Sequence, residues 1–405
     1  MSVHARPVSS LTRIAPYANL WGTAEACLPQ RFASMACSRC TEECPVDTLS
    51  ITPDGFSVGP ACVDCGRCAA VCPTRALSLG NYRLEMPEPS PGAIAIECRK
   101  VPIPVTGPNA VHVPCTGALS TAQLLALANA SNGRGVEVID RGWCSTCSAG
   151  GSVHPAEGRM TEANDLLAQM GVPPEGRISF TSLYLPAGLS PKTIPDRESS
   201  TSVSRRGFLR RLVGEVARAT DSITPETLGT PEPVDGHARL VPAERLAILS
   251  ELRVTGIGTG RHLPAALFHE ISIADECRGH KLCATACPVS ALRIRDDDTG
   301  TGIDFHPALC IGCGACERIC PEHALTLRTA GEAPQAATPL ALTRHTTLAC
   351  FACGMPVIAP DANDDQEDQP LCPGCRKSRD LGRSLFSGFF PSIDDNNTIH
   401  SGGHR

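Results

Sequence analysis

In the stretch Cys62-Val-Asp-Cys65-Gly-Arg-Cys68-Ala-Ala-Val-Cys72-Pro73, four thiols recur at intervals of three, three and four residues, and a proline closes the run. Thiolates are soft ligands that suit iron–sulfur clusters, and at this spacing three sulfurs serve one cluster while the fourth reaches another. Gly66 permits a tight backbone turn round such a group, and Pro73 ends the ligand loop. The chemistry this pattern points to is one-electron transfer.

The run resembles the two-cluster bacterial ferredoxins. Upstream, Cys37, Cys40 and Cys44-Pro45 occupy the second, third and fourth positions of the same pattern, and the first falls on Ser34. Cys27, seven residues earlier, is either a substitute thiolate reached by a lengthened first gap or a buried, inert cysteine. With the fourth cysteine of each run crossing over, the expected quartets are Cys62, Cys65, Cys68 and Cys44, and Cys37, Cys40, Cys72 and Cys27.

The pattern returns in the second half. Cys310, Cys313, Cys316 and Cys320-Pro321 are intact, whereas the partner run reads Cys277, His280, Cys283 and Cys287-Pro288. One quartet is therefore Cys310, Cys313, Cys316 and Cys287. The other holds Cys277, Cys283 and Cys320, with His280 where the second thiolate belongs. Three outcomes are open there: a three-iron cluster, as in ferredoxins resembling this one that lack the second cysteine; ligation by the imidazole, a neutral donor that raises the potential; or a solvated histidine beside an unfilled position. After each Cys-Pro pair an echo follows (residues 44–51, 72–79, 287–294 and 320–327), read as a helical turn leading into a short strand.

Between these runs the pattern changes to alternating strands (93–97, 110–113, 136–139, 177–181) and helices (121–129, 161–170), which implies a mostly parallel sheet. Cys98 follows the first strand, Cys115 the second, and Cys144 and Cys147 the third. All four would meet at the carboxyl edge, where open α/β sheets carry their sites, to hold a cluster or zinc. The Pro114-Cys115-Thr-Gly117 turn and Gly142-Trp-Cys144 with Cys147 and Gly150 resemble the iron–sulfur delta subunit of methyl-viologen-reducing hydrogenase, which relays electrons into heterodisulfide reductase. That resemblance implies a two-iron cluster here.

Cys350, Cys353, Cys372 and Cys375 form two knuckles separated by eighteen residues, the pattern of a tetrahedral zinc ribbon, with rubredoxin-type iron as the rival. An acidic insert, 361–368, would be its outer loop, and Phe386, Phe389 and Phe390 a docking patch on the tail. The proline-rich stretch 185–204 ends in Ser204-Arg205-Arg206-Gly207-Phe208-Leu209-Arg210, which matches a twin-arginine signal. Its mid-chain place and the stripe Phe208, Leu209, Leu212, Val213 and Val216 favour a structural or docking helix over export. A second linker spans 224–237, followed by an apolar-striped helix over 243–254.

The six groups account for all 23 cysteines of the 405-residue chain, as expected of a metal carrier rather than of thiols that fill a core. Aromatic residues are only 4% of the chain, so clusters would supplement its cores. A net charge of −6 offers no basic footprint for nucleic acid. There is no run of 18 apolar residues to span a membrane and no signal-peptide pattern at the start, so a reducing, cytoplasmic compartment is expected.

The expected architecture is α+β and multidomain. Two ferredoxin-like dicluster modules (27–84 and 263–330) flank a small α/β parallel-sheet domain (90–186). Linkers and amphipathic helices (187–262), a zinc-ribbon or rubredoxin-like knuckle (345–380) and a flexible tail (381–405) complete it. The cofactors expected are at least two [4Fe-4S] clusters and three or four with the degraded sites filled, one of them [3Fe-4S] in the first alternative above, a [2Fe-2S] cluster in the α/β domain, and zinc or rubredoxin-type iron. Nucleotide loops, nucleophile elbows and H-E-x-x-H helices are lacking. The chain therefore reads as a polyferredoxin relaying single electrons to or from a partner oxidoreductase. The rival is an accessory factor that matures a metalloenzyme and uses its clusters as structural staples, and the third reading a reductase with an open iron site in the α/β domain.

Overall fold

The structure, a computed structural model, describes residues 12–32, 35–52, 55–80, 82–88, 91–107, 110–189, 239–297, 300–332, 339–359 and 369–389. Ser34, the twin-arginine segment with its apolar stripe, the 224–237 linker, the acidic insert and Phe390 lie outside them.

The first cysteine-rich module is built on β1 (Thr12–Arg13), β2 (Leu20–Gly22) and the hairpin β3 (Leu49–Thr52) and β4 (Gly55–Val58), closed by β5 (Leu77–Leu79). β2 pairs antiparallel with both β1 and β5, so the module's sheet draws on residues ahead of the first cysteine. Leu77 and Leu79 are buried and Ser78 is not, the two-residue alternation of a half-buried strand. Three short helices, α1 (Leu28–Arg31), α2 (Arg39–Glu42) and α3 (Arg67–Ala70), follow or carry the cysteines.

The unit after each Cys-Pro pair differs from the expected helical turn. Asp47, Arg75, Ser290 and His323, each three residues beyond its cysteine, have φ of 46°, 53°, 53° and 49°. A left-handed residue there swings the chain out of the ligand loop and into β3, β5 and their counterparts in the second module. The turn also aims a backbone donor at sulfur. Ala76 N–H donates to Cys72 Sγ at 3.1 Å, and Ala291 N–H to Cys287 Sγ at 3.2 Å.

The α/β domain contains β6 (Ile94–Cys98), β7 (Val111–Val113), α4 (Thr121–Ala130), β8 (Val136–Asp140), α5 (Glu157–Gln169) and β9 (Ile178–Ser182). The strands are all parallel in the order β7-β6-β8-β9. Strand order therefore reverses at β6 and β8, and the crevice beyond their carboxyl ends is where such sheets bind ligands. Buried Ile96 and Val138 pack with Leu124, Leu125 and Leu127 of α4, which a Ser120–Gln123 capping box starts.

Helix α6 (Ala243–Thr259) packs on α4 and joins all three units. Glu244 accepts Arg75 Nε and Nη2 of the first module at 3.1 and 2.9 Å and the Ala122 N–H of α4 at 2.9 Å. The next residue, Arg245, faces the second module and donates to the carbonyls of Leu267, Pro307 and Ala308 at 2.7 to 3.0 Å. Glu244→Ala is expected to cost about 1–2 kcal/mol, since it strands the Ala122 N–H while the Arg75 side is already half exposed. Faster amide exchange at Ala122 would register it.

The second module pairs β10 (His269–Ile273) with β13 (Leu325–Thr329), and β12 (Gly300–Phe305) with both β11 (Leu292–Asp297) and β14 (Leu340–His345). Helices α7 (Leu282–Ala286) and α8 (Ala315–Ile319) carry its cysteines. A hairpin of β15 (Thr347–Ala349) and β16 (Pro356–Ile358) precedes α9 (Pro373–Phe389). Pro373 pre-sets φ for the first helical turn. The helix runs on to Phe389, so the stretch from 381 expected to be a flexible tail is helical that far. Among the described residues no helix is long and apolar enough to cross a membrane.

Candidate metal centres

In the first module the fold gathers Cys44, Cys62, Cys65 and Cys68 round one cavity, walled by Leu20 and Leu79. It gathers Cys27, Cys37, Cys40 and Cys72 round a second, walled by Ile51 and Phe56. Cys27 therefore stands with the set it was expected to complete, held at the start of α1 by its N–H to the Ala24 carbonyl at 3.1 Å. Burial, with the neighbouring Cys72 and Cys37, pushes the Cys27 thiol up to about 11 and the Cys40 thiol up to about 12. Cys68 is raised well above the ordinary thiol range by burial and by the surrounding sulfurs, Cys65 first. Crowded buried thiols of this kind become stable thiolates only beside a cation, which is the donor set an iron–sulfur cluster needs.

The α/β cavity is lined by Cys98 from the end of β6, Cys115 from the turn after β7, and Cys144 and Cys147 from the turn after β8. Burial pushes Cys115 and Cys144 up to about 12 and raises Cys98. Gly150 is required here, because a Cβ would lie 1.8 Å from the Cys144 carbonyl oxygen. Below the cysteines, buried Glu97 accepts Arg141 Nη2 and, at 3.3 Å, Nε. Arg141, which lines the cavity, in turn donates to the Val105 and Leu183 carbonyls at 3.1 Å and so ties two loops to it.

Sequence patterns did not indicate His154, which lines the same cavity and packs edge-on against Phe180, with ring centroids 4.6 Å apart. Burial lowers its pKa against the opposing pull of Asp140 and Glu157, so the ring is neutral near pH 7. It follows Cys147 by seven residues, a spacing that no ligand motif uses, and its ring is set by its packing on Phe180 of β9.

In the second module, Cys287, Cys310 and Cys316 belong to one buried cluster with half-buried Cys313 packed against it, and burial first and neighbouring sulfurs second push Cys316 up to about 12. Cys283 is raised to about 11 by burial, with Cys277 and Cys320 beside it, which brings the three thiols of the histidine-containing run's set together. His280 is 46% exposed at the side chain, with Nδ1 3.9 Å from Glu322 Oε1. A second histidine, His345 at the end of β14, brings Nε2 to 4.0 Å from Cys277 Sγ. It lies 68 residues away in sequence, out of reach of any local motif.

The sites adjoin one another end to end. Cys65 of the first module is buried in one cluster with Cys115 and Ala149 of the α/β domain, with Cys147 packed against it. Arg67 ties the same junction by donating to the Ala149 carbonyl at 3.1 Å and pairing with Glu43. On the other side, Leu28 and Met35 are buried with Phe305, Cys287 and Cys316 of the second module, and Phe32 and Cys37 pack against them. Arg318 Nη2 reaches Met35 Sδ at 3.8 Å. Two residues after Cys277, Gly279 backs onto His345 and Ile358, so closely that a Cβ there would meet Ile358 Cδ1 at 2.2 Å.

The knuckle sulfurs of Cys350, Cys353, Cys372 and Cys375 lie within 4.8 Å of one another, with Cys353 and Cys372 3.7 Å apart. A tetrahedral ion with metal–sulfur bonds of about 2.3 Å sets its ligands about 3.8 Å apart, so the set fits one such ion. The Cys372 N–H, 3.2 Å from Cys350 Sγ, lowers that thiol to about 6, whereas the Cys372 and Cys353 thiols push Cys375 up to about 12. Metal binding must then displace at least the Cys375 proton. Apparent zinc affinity is expected to rise about tenfold or more per pH unit near neutrality, as competition with a chelator at several pH values would reveal.

Residues 275–324 match the family described as a 4Fe-4S dicluster domain. A stretch of 64 residues is 38% identical to the polyferredoxin MvhB of Methanothermobacter marburgensis, covering 14% of this chain and 16% of that protein. The chain thus spans about one sixth of the length of the curated relative it matches. Together these matches support ferredoxin-type [4Fe-4S] binding in the matched part of the chain.

Proposed function

We propose that this chain relays single electrons for a partner oxidoreductase along a row of sites whose order differs from their order in sequence. The row runs from the α/β cysteines to Cys44/Cys62/Cys65/Cys68, then Cys27/Cys37/Cys40/Cys72, then Cys287/Cys310/Cys313/Cys316, and ends at Cys277/Cys283/Cys320. Iron–sulfur clusters bound there would take up and pass on one electron at a time.

The observation that carries this reading is the contiguity of the cysteine sets, through Cys65 beside Cys115 at one junction and Leu28 and Met35 at the other. Structural staples in an accessory factor have no reason to adjoin in a single file. The protein's own part is to hold the thiolates, exclude water with Leu20, Leu79, Ile51 and Phe56, and keep neighbouring sites in contact through Glu244 and Arg245. The knuckles, as a zinc ribbon, would brace the last site through Ile358.

The test is iron, acid-labile sulfide and zinc per chain on anaerobically purified protein, followed by stepwise reduction. Roughly fourteen to eighteen irons with one zinc, and several reversible one-electron steps, are expected. About eight irons and no reversible uptake would leave only the two intact sets filled and return the weight to an accessory role.

A further inference from the structure

One polar atom at the α/β cavity lacks the partner its burial demands. His154 Nδ1 accepts the Ala156 N–H at 3.3 Å, so the single proton of the neutral ring lies on Nε2. That Nε2 is buried and has no hydrogen-bond partner among the described residues. Buried polar groups are nearly always paired, and one that is not points to a group that belongs beside it. Edge-to-face packing on Phe180, at an interplanar angle of 74°, holds the ring in place.

The surroundings narrow what the donor meets. A ring nitrogen of His154, Sγ of Cys144 and a carboxylate oxygen of Asp140 lie within 4.8 Å of one another. Asp140 already accepts the Gly142 N–H at 2.8 Å and makes no bond to Nε2. Sulfur is the acceptor that the four cysteines bring to this cavity, which His154 lines with them. With Nδ1 engaged as an acceptor, Nε2 has no lone pair to offer a metal.

We propose that His154 donates its Nε2–H to a sulfur of the group held by Cys98, Cys115, Cys144 and Cys147, and thereby raises the reduction potential at the α/β end of the row. This rests on the reading of that quartet as a cluster site. A hydrogen bond to sulfur favours the more negative, reduced state, which moves the potential upward. His154 is a positioning and tuning residue rather than a ligand.

The test is a redox titration of the full, anaerobically loaded chain followed by electron paramagnetic resonance, with His154→Phe and His154→Gln beside the parent. His154→Phe should shift the signal of the α/β site to lower potential, leaving its iron content and the other sites unchanged. His154→Gln, which restores an N–H near Nε2, should return the potential toward the parent value. An unmoved potential in His154→Phe overturns the inference alone, and iron lost from the site in both variants overturns it in favour of ligation. Parent protein whose iron and spectra are indifferent to Cys115→Ser has no cluster there, which overturns the inference together with the reading beneath it.

Discussion

Replacing Cys27 by serine is expected to cost the chain about one iron if the remaining thiolates keep a three-iron cluster and about four if the site empties, and to interrupt transfer between its two cysteine-rich modules. The thiol is 6% exposed, shares its cavity with Cys37, Cys40 and Cys72, and is pushed to about 11 by burial. Serine's hydroxyl is a harder and far less acidic donor, so the set would keep three thiolates and lose its fourth. That site is the one whose flank, Phe32, Met35 and Cys37, meets the second module. Iron and sulfide analysis decides the first half of the expectation, and rapid-mixing reduction of the second module decides the second. A full iron complement in Cys27→Ser would make Cys27 a buried, inert thiol after all.

Glu97→Ala should produce the largest loss of stability of any single change near a site, about 3–5 kcal/mol. Glu97 is 1% exposed and Arg141 8%, so the substitution leaves a guanidinium buried without its counter-charge. The damage would be local. Arg141 binds the carbonyls of Leu183 and Val105, and amide exchange across β6 and β8 should quicken while the second module is unaffected. Removing both charges, as Glu97→Leu with Arg141→Met, is expected to recover much of the loss, because a buried pair repays little beyond its own desolvation. A loss below about 1 kcal/mol in Glu97→Ala would mean that water reaches the pair.

Both expectations depend on contacts that differ in how far they reach along the chain, and this decides how much could be read in advance. Cysteines three and four residues apart must converge whatever surrounds them, because a short loop has few ways to arrange them. The quartets formed by Cys62, Cys65 and Cys68 and by Cys310, Cys313 and Cys316 were therefore legible, as was the crossing-over of Cys44 and Cys287 from paired runs. Cys98, Cys115, Cys144 and Cys147 were legible for another reason, since strand–helix alternation sends every loop that follows a strand to the same edge. The left-handed residues after the Cys-Pro pairs were not, because Asp47, Arg75, Ser290 and His323 share no side-chain chemistry and only backbone geometry unites them.

Local spacing thus determined which thiols gather and what chemistry they suit. Tertiary structure alone decided how those gatherings are ordered in space and which outside residues attend them. Cys65 meets Cys115 across a domain junction, Met35 enters the core of a module that begins more than 200 residues later, and Glu244 and Arg245, adjacent in sequence, hold opposite neighbours. His345 reaches Cys277 in the same long-range way. The physical reason is that such contacts come from burying whole faces against one another. That burial is roughly proportional to area and indifferent to direction, so it leaves no periodic trace in the residues that happen to meet.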